Sequence, residues 1–162
     1  MASWSEVQAF VRKHYVLRLD QPHHFTMDFA LPEAEADVDA GKARPALDEA
    51  SLAAAVVHVH GQLLQASDGA KTWLSVRAEV CGERAMSPTA ALRHGARLLL
   101  GALVLSGNQY VLRHTLLLSD LSLSSLQYAL EYIAREAGAL RKKVLKQTAS
   151  PPRSPLGQSL ND

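Results

Sequence analysis

The chain of 162 residues contains a single cysteine, Cys81, so an internal disulfide is excluded. The near-absence of cysteine fits a reducing compartment. Neither sign of charge is in excess, because the chain has 17 Lys and Arg residues and 16 Asp and Glu residues. A formal net charge of +1 provides no overall field that would draw the protein to nucleic acid or to acidic lipid.

Long hydrophobic runs are also missing. Crossing a bilayer takes ~20 consecutive apolar residues, and the longest apolar run, 96–105, is broken by Arg97 and Gly101. The first 15 residues lack the apolar core of a secretory signal and carry acid among their bases. We therefore expect a cytoplasmic protein that makes no membrane contact.

Motifs that carry chemistry are absent from the sequence. It has no G-x-S-x-G elbow, no H-E-x-x-H, no C-x-x-C and no glycine-rich loop ending in Gly-Lys-Ser/Thr. The many serines stand where turns and helix caps need them. We expect no catalytic residue, no cofactor and no metal, and hence a protein that is not an enzyme.

One histidine pair invites a metal interpretation. His58 and His60 lie two residues apart in a predicted strand, so both rings project from the same face and could chelate a divalent ion. A metal site needs further ligands, and His114, His23 and His24 are the only candidates, none of them fixed in place by the sequence. The polar face of a strand is the preferred interpretation.

The periodicity of apolar residues predicts the fold. Residues spaced by two at 25–31, 55–63, 72–80 and 110–118 indicate half-buried strands, and 102–105 adds a short one. Ser3-x-x-Glu6 is a capping box that begins a short helix near Trp4, and Ser87-Pro88 begins a second over 88–100. The final helix carries apolar residues at a helical 3-4 spacing: Leu123, Leu126, Leu130, Ile133, Ala137, Leu140 and Val144.

These elements predict an α+β fold in the order α-β-β-β-α-β-β-α, with about five strands in one antiparallel sheet and three helices. The turns between strands are too short for parallel crossovers. At 48% hydrophobic residues the chain can bury one core, which we place in a single domain over 3–147. Residues 33–50 read as a mobile loop, and the proline-rich stretch 148–162 as a disordered tail.

Two sets of residues are candidates for contact with a partner. Leucines crowd the end of the predicted second helix and the short strand after it, more than one face of a helix and strand could bury, which indicates a dimer or partner surface at Leu98, Leu99, Leu103 and Leu105, with Leu100 beside them. Basic residues collect near the end of the last helix at Arg135, Arg141, Lys142, Lys143 and Lys146. Such bases either complement the helix dipole or contact phosphate or an acidic partner.

The element order resembles that of the type III secretion chaperone-like superfamily, which includes the class I secretion chaperones and the bacterial YbjN-type proteins. The likeness covers about residues 3–146 and is carried by AALRHGARLLLGALVLSG followed by QYVLRHTLLLSDLSLSSLQYALEYIAREAGALRKKV. It implies a small antiparallel sheet with helices against it, a homodimer, and binding of another protein without catalysis. Class I secretion chaperones tend to be acidic, so a pI of about 8.0 favours the YbjN-type side.

Two functions therefore stand as hypotheses. The first is a dimeric, chaperone-like protein whose apolar surface holds a segment of a partner protein. The second is an accessory protein of a nucleic-acid (DNA-processing) complex, acting through the basic helix end or through a DNA-binding partner. Direct contact with nucleic acid is the less favoured of these routes.

Overall fold

The computed structural model describes residues 2–30, 56–66 and 71–149. Within these ranges three helices and six strands follow one another along the chain. They are α1 (Trp4–His14), β1 (Leu17–Gln21), β2 (His24–Ala30), β3 (Val56–Gln65), β4 (Thr72–Gly82), α2 (Pro88–Gly95), β5 (Ala102–Ser106), β6 (Gln109–Leu117) and α3 (Leu123–Ala149). Two short 3₁₀ turns, Glu83–Ala85 and Leu118–Asp120, follow β4 and β6. The predicted fold class is confirmed, with one strand more than expected.

The strands form one sheet in the order β1-β2-β3-β4-β6-β5, and every neighbouring pair is antiparallel. The connection from β4 to β5 runs through α2, so β6 comes to lie beside β4 and β5 takes the outer position. β1 and β5 are thus the two edges of the sheet.

All three helices share one core with one face of the sheet, which we call the inner face. Alternate residues of β4 point into it, with Leu74, Val76 and Ala78 fully buried. The predicted stripe of α3 is buried against the sheet from Leu126 to Val144. Burying each such leucine contributes about 1.5–3 kcal/mol, so the packing of this stripe on the alternating strands is a large stabilising contribution.

Helix starts are specified locally, as predicted. Ser3 and Glu6 form a reciprocal capping box on α1. The Ser87 hydroxyl accepts from the main-chain N–H of Ala90, with Pro88 at the first helical position. Ser122 caps α3 by accepting from the N–H of Ser125 at 3.0 Å. Each such side chain satisfies a donor that a helix N-terminus leaves unpaired.

Two element predictions need correction. The sequence analysis missed β1, because its alternation of Leu17 and Leu19 with Arg18 and Asp20 spans only five residues and most of its side chains are exposed. The second helix ends at Gly95 rather than near Leu100, since glycine is a poor helix former. The chain then turns at Gly101, whose φ of +77° favours glycine.

Other boundaries differ only slightly from expectation. Cys81 and Gly82 belong to β4 rather than to a loop, after an irregularity between Glu79 and Cys81. The last helix continues to Ala149, two residues beyond the predicted end of the domain at 147. The predicted loop 33–50, the turn at 67–69 and residues 150–162 of the predicted tail lie outside the described residues.

Gly61 in β3 provides a test of this packing. A Cβ at this position would overlap the ring of Phe25, which is buried and stacks on Trp4 at a centroid distance of 5.8 Å. Overpacking of this kind costs about 1–3 kcal/mol, so Gly61→Ala should lower the melting temperature by several degrees, at roughly 2–4 °C per kcal/mol. The matched control is Gly82→Ala, whose added Cβ has no heavy atom within 4 Å. Equal melting temperatures for the two variants would contradict the packing described.

Candidate interaction surfaces

The β5 edge, Ala102–Ser106, is an open side of the sheet. β5 pairs with β6 on one side, and no described strand lies on the other. Its sequence, ALVLS, contains neither charge nor proline, the devices that usually keep an edge strand from pairing with another chain. The opposite edge, β1, carries Arg18 and Asp20 and an irregular register. Of the two edge strands that the structure describes, β5 is therefore the one suited to pairing along its whole length.

Exposed leucines lie on and beside this edge. Of the four leucines predicted as a surface, Leu99 is 80% exposed and Leu105 50% exposed. Leu98 and Leu103 are instead partly buried against the core. The structure adds Leu92, whose side chain is 76% exposed on α2. The helix α2 itself packs against β5. Leu92 follows the buried Ala91 by one residue, so the helical period turns its side chain away from the core. This spacing is the signal in the sequence that could have identified Leu92 as exposed.

A groove lies where β6 extends past β5. Ala102, the first residue of β5, pairs with Arg113, so β6 from His114 to Leu117 has no described strand beside it on that side. Between this stretch and the start of α3 is a groove of about 390 Å³, which we call the stepped groove. It is lined by Leu100, His114, Leu116, Ser124, Ser125, Tyr128 and Ala129. Tyr128 is 53% exposed at its rim.

The predicted basic residues of α3 have different environments. The guanidinium of Arg141 donates to the carbonyl of Val56 at 2.9 Å and to that of Glu79 at 2.8 Å. It therefore ties α3 to the ends of β3 and β4 instead of facing a partner. The bond to Val56 is partly buried and contributes about 1.5–3 kcal/mol, whereas the bond to Glu79 is exposed and contributes less. Arg135, Lys143 and Lys146 are exposed, and Lys142 is half-buried.

Lys143 lines a cavity of about 270 Å³ between α2 and the second half of α3, which we call the basic cavity. From α2 and the turn after it, Arg93, His94 and Arg97 line the same cavity. The remaining walls are Met86, Ser87, Thr89, Ala90, Val144 and Gln147. Sequence spacing alone could not have brought Lys143 to Arg93, His94 and Arg97, because these lie about 50 positions before it in the chain.

The outer face of the sheet holds the histidine pair. His58 Nδ1 contacts Asp28 Oδ1 at 2.7 Å, and His60 Nδ1 contacts the Thr26 hydroxyl at 3.0 Å. His24 stacks on His60 with centroids 5.8 Å apart. Among the described residues, no group of three or more His, Cys, Asp or Glu is placed to hold a metal ion. The two rings act as hydrogen-bonded residues of a polar strand face.

Burial depresses the basicity of several histidines. It lowers the pKa of His24 and of His60, with a smaller contribution from the charge of Arg77. Burial alone lowers the pKa of His114. Burial also lowers the pKa of His94, followed in size by the charges of Lys143 and Arg97. The neutral ring is therefore favoured at all four positions.

These shifts predict that acid weakens the fold. An unfolded histidine takes up a proton near pH 6.5, whereas these four stay neutral to lower pH in the folded state. Protonation thus favours the unfolded chain, and stability should fall as the pH decreases from 7.5 to 5. Chemical denaturation at both pH values measures this slope. Replacing His24 and His60 by Gln should flatten it. A stability that rises on acidification would show that the shifts have the opposite sign.

Comparison with known proteins adds no relative: no family model matches the chain, and no curated protein matches it either. None of the described helices combines the length and apolar character needed to cross a membrane. The candidate functional surfaces of the described residues are therefore the β5 edge, the exposed leucines, the stepped groove and the basic cavity.

Proposed function

We propose that this protein is a non-enzymatic, cytoplasmic, chaperone-like homodimer that holds an apolar segment of a partner protein. The observation that carries the proposal is the uncharged β5 edge, accompanied by the exposed Leu99 and Leu105. The resemblance to the type III secretion chaperone-like superfamily and its YbjN-type members agrees with this role.

A second copy of the chain is the occupant of the β5 edge. Identical strands pair antiparallel about a two-fold axis, and a five-residue strand centred on that axis places Val104 opposite its own copy. Leu103 then faces Leu105 of the second protomer, on the side of the sheet where the helices lie. The pairing satisfies the free main-chain groups of both edges and removes Leu105 from water, so one contact covers two exposed features.

The stepped groove is the site for the partner segment. Leu100, Leu116 and Ala129 supply apolar walls, and the rim hydroxyls of Ser124, Ser125 and Tyr128 can bond the main chain of a bound segment. The free stretch of β6 beside it offers main-chain groups to an extended chain, the arrangement used in strand addition. An apolar, extended segment fits both features.

The second candidate function is an accessory role in a nucleic-acid complex, and the exposed bases near the end of α3, Arg135, Lys143 and Lys146, favour it. Phosphate contacts would make the binding of a single-stranded oligonucleotide fall steeply with salt, by a slope near −0.7 per contact. Weak binding without a salt slope, together with retained binding of a partner protein in high salt, favours the chaperone-like role.

Leu99 gives the sharpest test of the dimer. Its side chain is 80% exposed in the single chain, so Leu99→Glu should leave the melting temperature of the monomer almost unchanged; because Leu99 lies just before β5, the new charge should weaken the adjacent dimer contact. We expect light scattering to give twice 17.6 kDa for the unaltered chain and a dissociation constant raised at least about tenfold in the variant, or ~1.4 kcal/mol.

The matched control is Val16→Glu, because Val16 is 79% exposed and lies next to the opposite edge strand. This variant should dimerise like the unaltered chain. Scattering of 17.6 kDa at micromolar concentration for the unaltered chain, or equal weakening by both variants, would overturn the proposed dimer face.

A further inference from the structure

The basic cavity gathers cationic side chains from two helices. Thr89, Arg93 and Arg97 recur every four residues, so they lie along one side of α2 and of the turn that follows it. Lys143 and Gln147, also four apart, line the cavity from α3. Two helical rows thus face one space from opposite sides.

None of the described residues that line the cavity is Asp or Glu, so no acidic side chain among them offsets this charge. The side chains of Arg93, Arg97 and Lys143 are exposed and make no hydrogen bond or ion pair with any described residue. The charges of Lys143 and Arg97 both act on His94, which places them near its ring. Like charges held around one cavity repel one another unless an anion lies between them.

Helix dipoles explain only part of the arrangement. Arg93 and His94 lie in the last turn of α2, where bases are favourable. Lys143 is six residues before the end of α3, and the last-turn base of that helix is Lys146. The dipole of α3 therefore gives no reason for Lys143 to face the bases of α2.

We propose that the basic cavity binds a phosphate monoester. The two guanidinium groups suit the paired oxygens of a phosphoryl group, and Lys143 adds a point charge. The hydroxyls of Ser87 and Thr89 and the amide of Gln147 supply neutral donors on the same walls. This site is independent of the dimer and of the partner segment proposed above.

A monoester fits better than the diester of a nucleic-acid strand. A monoester carries close to two negative charges at neutral pH, which suits three cations around one point. A strand carries one charge per phosphate and needs a track of bases, whereas these bases meet in one concave space of about 270 Å³. The apolar walls, Met86, Ala90 and Val144, leave room for the carbon atoms next to the phosphoryl group.

The test uses the full chain and O-phosphoserine as the probe, in a buffer free of phosphate. Titration followed by amide NMR should give saturable shifts at 87–97 and 143–147. Arg97→Gln and Lys143→Gln should each weaken binding roughly tenfold, the loss expected for one charge-assisted contact. The controls Arg84→Gln and Lys142→Gln remove a base outside the cavity lining and should bind like the unaltered chain.

His94 provides a second readout. A bound dianion offsets the charges of Lys143 and Arg97, so the pKa of His94 measured by NMR should rise when O-phosphoserine is added.

The proposal is overturned if no saturable shift occurs at 87–97, or if all four variants weaken binding equally. Tighter binding of an oligonucleotide without a terminal phosphate than of O-phosphoserine would also overturn it, if that binding depends equally on Arg97 and Lys142. These bases would then contact a nucleic-acid strand. Failure of the dimer test would leave each of these measurements unaffected.

Discussion

The rest of the structure depends on one-sided burial of the sheet. The inner face receives α1, α2 and α3, and its alternating Val, Leu and Ala side chains are buried against the stripe of α3. Because all three helices share that core, the outer face has to be compatible with a polar environment. It meets this condition through pairs such as His58 with Asp28 and His60 with Thr26. The candidate surfaces consequently lie at the sheet edge and at the helix ends.

The sequence predicts most of this architecture, because its strongest signals are periodic. The stripe from Leu123 to Val144, the alternation in β4 and the cap at Ser87 each follow from local chemistry that tertiary packing did not override. β1 was missed because its alternation is only five residues long and most of its side chains are exposed, so little of it contributes to the core. The predicted second helix is too long because the leucines after Gly95 continue a helical spacing. In the structure they lie in an irregular segment, where some pack against the core and others are exposed.

The candidate surfaces were less accessible to sequence reasoning. A dense run of leucines indicated surplus apolar area, but only packing decides that Leu99 is exposed while Leu98 lies against the core. The bases of the last helix looked equivalent in the sequence. Tertiary structure separates them, since Arg141 bonds two strand carbonyls and Lys143 joins residues of α2 around a cavity. Contacts between residues far apart in the chain have no local signature.

The two hydrogen bonds of Arg141 have a consequence for how the molecule opens. They join the second half of α3 to Val56 at the start of β3 and to Glu79 beside the irregular point of β4. The end of a long helix would ordinarily fray independently of a sheet, exposing its amides to solvent exchange at low free energy. Here the turns around Arg141 separate from the strands only when both carbonyls lose their donor. Amides before Arg141 in α3 should therefore exchange together with those of β3 and β4, as one cooperative unit, while the turn beyond Lys146 exchanges on its own.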